Sequence, residues 1–127
     1  MANDRKTLGK SEWYIMEKHW EAAPRTYAQL CHELREEPGW SRSTVQTMLE
    51  RMTEKGILRY EMVGRAKHYY PNIERDDVAV AETRSLLDRA FEGSVSLLVS
   101  TLVRRKQLTK EEIEELYEIL QEAEGEN

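Results

Sequence analysis

The spacing of apolar residues changes period at Gly56, and that change limits the folds open to this chain. Before it, three stretches repeat at helical spacing. Trp13, Met16 and Trp20 fall at i, i+3 and i+7, in a helix that Ser11 can cap and that Ala22-Ala23-Pro24 ends. Tyr27, Leu30, Cys31 and Leu34 fall at i, i+3, i+4 and i+7 behind a Thr26-x-x-Gln29 capping box, and Glu36-Glu37-Pro38-Gly39 is a turn. Val45, Met48, Leu49 and Met52 form the apolar stripe of a third helix, capped by Ser41 and stopped by Gly56. Beyond Gly56, apolar and polar residues alternate from Leu58 to Met62, as in a half-buried strand. Residues 63–66 can turn and residues 67–70 can return, with Pro71 ending the pairing. Helix, helix, helix, hairpin is the order of a winged helix.

From Asp76 the pattern is helical to the end. A stretch over 76–92 carries Val80, Leu87 and Phe91, and Gly93 breaks it. A second, over 94–106, is apolar on most sides. A third opens with the box Thr109-x-x-Glu112 and is expected to bury Ile113, Leu116, Tyr117 and Leu120. So short a segment cannot hide a helix this apolar by itself, whereas two interlocking copies can. The expectation is a homodimer centred on Val95, Leu98, Val99, Leu102 and Val103, with Leu87, Phe91, Ile113, Leu116 and Leu120 contributing. The predicted fold class is therefore mainly α with a small β-hairpin. A winged helix-turn-helix domain over 1–72 is followed by a helical dimerisation domain over 73–127.

The formal net charge of −5 at first disfavours a nucleic-acid partner, but the charge is unevenly distributed. Residues 1–72 hold 12 Lys/Arg against 10 Asp/Glu, a net of +2, and residues 73–127 hold 7 against 14, a net of −7. Within 38–72 the ratio is 6 basic to 3 acidic. Local charge governs phosphate binding over a Debye length, so the acidic tail does not exclude DNA. No apolar run is long enough to span a bilayer, and the first residues lack the apolar core of a secretory signal. With a single cysteine, Cys31, the default expectation is cytoplasmic residence without membrane insertion.

In a helix-turn-helix the second helix enters the major groove. On a wheel of about 100° per residue, the third helix turns Ser43, Thr47, Glu50 and Glu54 away from its stripe. Gln46 flanks them on one side, and Thr44 and Arg51 on the other. The outward face of its first half is thus neutral and polar, suited to base edges. Gln46 can bond adenine, Thr47 can offer a methyl to thymine, and Arg42 can reach guanine or phosphate. Glu50 and Glu54 would repel phosphate and are expected near the exit from the groove. Arg65, Lys67 and Tyr69 form the tip of the hairpin, where a phosphate contact is expected. Arg5, Lys6 and Lys10 could add contacts at the N-terminus.

These residues also resemble a known family. The stretch Ser11-Glu-Trp-Tyr-Ile-Met-Glu-Lys-His-Trp20, the block Ser41-Arg-Ser-Thr-Val-Gln-Thr-Met-Leu-Glu-Arg-Met-Thr-Glu-Lys-Gly56, the run His68-Tyr-Tyr-Pro71 and the segment Leu108-Thr-Lys-Glu-Glu-Ile-Glu-Glu-Leu116 look like the BlaI/MecI/CopY family of penicillinase-type repressors. The resemblance implies a winged-helix domain, a helical dimerisation domain, and a dimer repressing genes from a pseudo-palindromic operator in double-stranded DNA. Carried over by position, it implicates Arg42, Ser43, Thr44, Gln46, Thr47 and Arg51 in DNA binding. Antibiotic-responsive members are cut by a membrane sensor-protease system at an Asn-Phe bond, where this chain has Thr101-Leu102. Copper-responsive members end in Cys-x-Cys pairs, which this chain lacks.

Other chemistry finds little support. Cys31-His32, His19 and His68 lack zinc-motif spacing, and Cys31 sits on an apolar stripe, so no metal or other cofactor is expected. The acidic run from Glu111 to Glu126 reads as a solvated helix face. No phosphate-binding glycine loop or nucleophile constellation is present, and no enzyme is expected. The alternative function is a winged helix that binds a protein through the same face without DNA.

Overall fold

The computed structural model describes residues 7–126. Arg5 and Lys6 lie outside the described residues. In chain order the elements are α1 (Lys10–Glu21), β1 (Arg25–Thr26), α2 (Tyr27–Leu34), α3 (Arg42–Glu54), β2 (Leu58–Val63), β3 (Ala66–Pro71), α4 (Arg75–Ala90), α5 (Val95–Arg104) and α6 (Lys110–Glu126). They form two compact units, dividing between Ser85 and Leu86. This division falls inside α4, later than the wing's end at 72. The reason is burial: Val78 and Ala81 of α4 are buried, and the Leu8 amide donates to Glu82 Oε1 at 2.8 Å.

The first unit closes around Ile15, Met16, Leu30, Leu34, Val45, Leu49, Met52, Ile57, Leu58 and Val78, each at most 2% exposed. The predicted stripes of the three helices supply most of this core, and Cys31 packs within it at 6% exposure. Each fully buried aliphatic side chain contributes about 1.5–3 kcal/mol. The helix ends are closed by specific bonds. At α1 the cap is Gly9 and not Ser11. The Gly9 amide donates to Glu12 Oε1 at 2.9 Å, and Lys55 Nζ donates to Glu12 Oε2 at 2.7 Å. One buried carboxylate thus starts α1 and ties it to the residue after α3.

The Thr26–Gln29 box is formed in both directions, at 2.8 and 3.2 Å. Ser41 Oγ accepts from the Thr44 amide at 3.2 Å, and Gly56, with φ of 81°, ends α3 in the left-handed region that glycine enters freely. The amides of Gly39 and Trp40 both donate to the Leu34 carbonyl, closing the end of α2.

The sheet has one strand more than the expected hairpin. Its order is β1-β3-β2, all antiparallel. A two-residue strand gives no periodic signal, so β1 was not legible in the sequence. Arg25 fixes it: its Nε donates to the Ala22 carbonyl at 2.9 Å, its Nη2 to the Lys18 carbonyl at 3.2 Å, and it pairs with Glu33. The bond to the Ala22 carbonyl also satisfies an acceptor at the end of α1, and that to the Lys18 carbonyl adds to the bond this carbonyl already accepts from the Ala22 amide. Pro71 does not terminate the pairing but sits in it, opposite Leu58. The alternation in β2 does not produce a half-buried strand. Leu58 is buried, while Tyr60 and Met62 are 41% and 55% exposed. The hairpin therefore projects beyond the core as a wing. Its two-residue tip places Gly64, at φ of 63°, in the first central position, where positive φ suits the twist of the strands.

The second unit contains no buried residue among those described. Ser94 Oγ accepts from the Leu97 amide at 3.0 Å at the start of α5, and the Thr109–Glu112 box opens α6. Ile113, Tyr117 and Leu120, expected to be buried by α6, are instead 37%, 66% and 60% exposed in the single chain.

His19 is the one fully buried ring with a nitrogen that can titrate near neutrality. Its Nδ1 lies 2.9 Å from the Ile15 carbonyl, which makes Nδ1 the donor, and its Nε2 has no partner among the described residues. Burial pushes its pKa below the ordinary 6.5. The Ile15 bond opposes this, Arg25 adds to it, and Glu33 opposes it. The unfolded chain therefore takes up a proton at His19 before the folded chain does. The stability this neutral ring supplies above about pH 6.5 is lost as pH falls from there through the lowered folded value. Thermal melts at stepped pH should show the wild-type midpoint falling below pH ~6.5, with a flatter profile for His19→Gln.

Candidate nucleic-acid interface

Burial of Val45, Leu49 and Met52 leaves the opposite face of α3 open. Arg42, Ser43, Thr44, Gln46, Thr47 and Arg51, the expected readers on α3, are all exposed. They form one continuous surface with local order. Ser41 Oγ lies 3.1 Å from Ser43 Oγ and 3.0 Å from Thr44 Oγ1, so three hydroxyls cluster at the start of the helix. Gln46 Nε2 donates to Glu50 Oε1 at 2.9 Å, an i, i+4 pair along the outward face.

The start of α3 is also fixed from α2. The Tyr27 hydroxyl donates to the Arg42 carbonyl at 3.2 Å, and the Arg42 guanidinium lies 5.3 Å from the Tyr27 ring centroid. Beside it is a groove of about 290 Å³ lined by Ala28, Cys31, His32, Arg35, Trp40, Ser41 and Arg42. No carboxylate lines it. His32 and Arg35 were not expected here, because they fall off the stripe of α2 and look like ordinary solvated positions in sequence. Only the packing of α2 against the start of α3 brings them to Arg42.

On the wing, Arg65 and Lys67 are exposed at and beside the tip. Lys67 Nζ lies 4.5 Å from the Tyr60 ring centroid, so a half-exposed aromatic backs this cation. Arg59 stacks over Tyr70 at 4.4 Å and pairs with Glu61 at 2.9 Å.

Two expected contacts are placed elsewhere. Tyr69 is 5% exposed and packs its ring 5.9 Å from that of Tyr60, facing the core and not the tip. Period-two alternation explains it: Tyr69 lies on the opposite face of β3 from Tyr70 and opposite Tyr60 in register. Burial raises its phenol pKa, with Tyr60 and Glu50 adding. Lys10 is exposed but lines a different groove, of about 650 Å³, with Trp13, Tyr14, Glu17, Lys18, Glu21, Glu33, Glu36 and Glu37. Five carboxylates there oppose a phosphate, and no residue of α3 shares that groove.

Thr101 and Leu102 lie inside α5, where Thr101 Oγ1 donates to the Leu97 carbonyl at 2.8 Å. Among the described residues, no group of three or more His, Cys, Asp or Glu side chains is placed to hold a metal ion. No described helix is long and apolar enough to cross a membrane.

The placement of Tyr69 has a measurable consequence. Tyr69→Ala should destabilise the first unit by about 3–5 kcal/mol, as loss of a buried aromatic does. Tyr69→Phe should keep both the melting midpoint and DNA affinity. A severalfold loss of DNA affinity in Tyr69→Phe at unchanged stability would restore Tyr69 to the interface.

Comparison with known proteins gives consistent matches. The model of the penicillinase repressor family matches residues 8–122. The penicillinase repressor of Bacillus licheniformis is 34% identical over 115 residues, covering 91% of this chain and 90% of that protein. The methicillin resistance regulatory protein MecI of Staphylococcus aureus (strain N315) is 25% identical over 120 residues, covering 94% and 98%. The solution structure of the DNA-binding domain of the repressor BlaI aligns with a TM-score of 0.51 and 33% identity, covering 55% of this chain and 85% of that domain. Helix-turn-helix, wing and full-length sequence similarity thus agree: the chain belongs to the penicillinase repressor family, a family of DNA-binding transcriptional repressors and not of enzymes.

Proposed function

We propose that this repressor binds a pseudo-palindromic operator as a homodimer, reading bases with the first half of α3 and gripping phosphates with the wing. The observation that carries the reading is the exposed, uncharged, hydrogen-bonding face of Ser43, Thr44, Gln46 and Thr47, held against the core by Val45, Leu49 and Met52. It is flanked by Arg42 and Arg51 on α3 and by Arg65 and Lys67 on the wing. Arg35 extends the positive surface beside Arg42, and His32 adds a hydrogen-bonding ring next to it. A module that binds a protein through this face has no need of an uncharged polar patch bordered by four cations. Among the described residues, none of Arg42, Arg51, Arg65 and Lys67 is in a salt bridge.

The relatives support the rest of the reading. One carries the name penicillinase repressor, another methicillin resistance regulatory protein, and the matched solution structure is of a DNA-binding domain. The operator should show two half-sites separated by one helical turn or a multiple of it.

Footprinting on the gene's own promoter should reveal such a site, and absence of any protected site overturns the reading. Affinity should fall steeply with salt. Gln46→Ala or Thr47→Ala should relax preference at one base pair per half-site. Lys67→Ala should weaken binding to all sequences alike and lower the salt slope by about 1.

The second copy is assigned to the second unit. Val95, Val99 and Val103 of α5 are 59%, 38% and 50% exposed in one chain, and Leu98 and Leu102 are only half-buried. The flanking Leu87, Phe91 and Leu116 are also half-buried, while Ile113 and Leu120 are exposed. Apolar surface of this extent is costly in water and is removed when two copies pack face to face. Relief of repression by a membrane sensor-protease system acting at Thr101–Leu102 requires α5 to unwind first, because a protease takes its substrate extended. Dimer loss would then release the operator. Sedimentation should give a dimer at micromolar concentration, and Val99→Asp or Leu102→Asp should give monomers that still fold in the first unit. A wild-type monomer overturns the dimer assignment.

A further inference from the structure

The bond between Gln46 and Glu50 has a consequence for which base the helix accepts, and it rests on α3 being the helix that enters the major groove. A carboxylate on that face is otherwise a liability. By the helical repeat of about 100° per residue, Glu50 lies between Gln46 and Glu54, on the side that carries Ser43 and Thr47. At about 1.5 Å of rise per residue it stands within roughly 4.5 Å along the axis of Thr47, less than one turn beyond the first half of the helix. Among the described residues it is in no salt bridge, and its carboxylate accepts from the side-chain amide of Gln46.

A primary amide has two N–H donors and one carbonyl acceptor. Left free, Gln46 can meet adenine with its carbonyl on the N6 amino group and one N–H on N7. It can equally rotate to aim both N–H groups at guanine, whose major-groove edge offers only the acceptors O6 and N7. A carboxylate accepts and does not donate. Its bond at 2.9 Å therefore selects the amide orientation with nitrogen toward residue 50, and it occupies one of the two hydrogens. What remains on Gln46 is one donor and one acceptor. That pair matches adenine and mismatches guanine. The second oxygen of Glu50 adds to the bias, since it repels O6 and N7 of guanine and suits an amino group on adenine or cytosine.

We propose that Glu50 is a specificity-determining residue, which positions the Gln46 amide so that α3 accepts adenine and rejects guanine at one base pair in each half-site. The same charge repels the nearby phosphates, so Glu50 lowers affinity for DNA in general while widening the gap between right and wrong sequences. Specificity is a difference of affinities, and a repulsive group can widen it.

The test uses the full-length protein and fluorescence anisotropy on its footprinted operator, with each A·T pair of a half-site exchanged in turn for G·C. The pair read by Gln46 is the one where Gln46→Ala removes the preference. At that pair the wild type should favour A·T about tenfold or more, within the range of one good bidentate contact. Glu50→Ala should reduce the ratio to within about threefold while raising affinity for unrelated DNA. Glu50→Gln should raise affinity for unrelated DNA similarly, because it loses the same charge, yet keep most of the A·T preference, because its carbonyl still accepts from Gln46. Both positions are exposed, so melting midpoints should stay close to the wild type. A Glu50→Ala variant with the wild-type ratio overturns this inference alone. So does equal loss of the ratio in both variants, since that assigns the effect to charge and not to the bond. A Gln46→Ala variant with unchanged preference at every pair overturns the assignment of α3 as base reader, and this inference with it.

Discussion

Burial of one face of α3 is the constraint on which the rest of the molecule depends. Val45, Leu49 and Met52 are at most 1% exposed, so the rotation of the helix about its own axis is fixed by the core. Once it is fixed, the side chains offered to a groove follow from the helical repeat alone. Rotating α3 to present a different set would expose three large apolar side chains, at about 1.5–3 kcal/mol each. The outward face of α3 is therefore held in place by the core beneath it, although Ser43, Thr44, Gln46 and Thr47 on it are exposed. The ends of α3 are held as well. Ser41 caps its start, Tyr27 bonds the Arg42 carbonyl, and Lys55 beyond its end pairs with Glu12 of α1. A site built this way loses little conformational entropy in its backbone when it meets DNA.

The two units solve opposite problems with similar helices. The first hides its apolar side chains within one chain and spends its exposed surface on hydrogen-bonding and cationic groups. The second leaves its apolar side chains open, with Val95, Tyr117, Ile119 and Leu120 each more than half exposed. A single copy of the second unit has too little interior to bury α5. Charge also divides between the two units: residues 1–85 hold 14 Lys/Arg against 14 Asp/Glu, a net of 0, and residues 86–127 hold 5 against 10, a net of −5. The acidic surface of the second unit disfavours approach to a phosphate backbone.

Glu50 shows how a residue that looks wrong for a function can refine it. By charge it belongs far from phosphate, and sequence reasoning places it near the exit from the groove. The hydrogen bond from Gln46 gives it a partner on the reading face instead. Tyr69 is the opposite case. Its position at the wing made it look like a contact residue, and pleating turns it into the core. Neither outcome could be read from residue type, because both depend on which neighbour each side chain meets.

The helices were legible because burial imposes a period on sequence. The stripes of α2 and α3, the Thr26–Gln29 and Thr109–Glu112 boxes, the Ser41 cap and the Gly56 stop all stand in the structure where local chemistry puts them. The change of period after Gly56 marked the hairpin for the same reason. What only the tertiary structure decided were contacts between elements with no periodic trace: β1 and its anchor Arg25, the Gly9–Glu12–Lys55 closure in place of a Ser11 cap, the basic groove of His32, Arg35 and Arg42, and the continuation of the first unit's core into α4. Each depends on where a side chain lands after the chain has turned several times. Local spacing fixes a residue's direction within its own element, while its partners are chosen only when the elements pack.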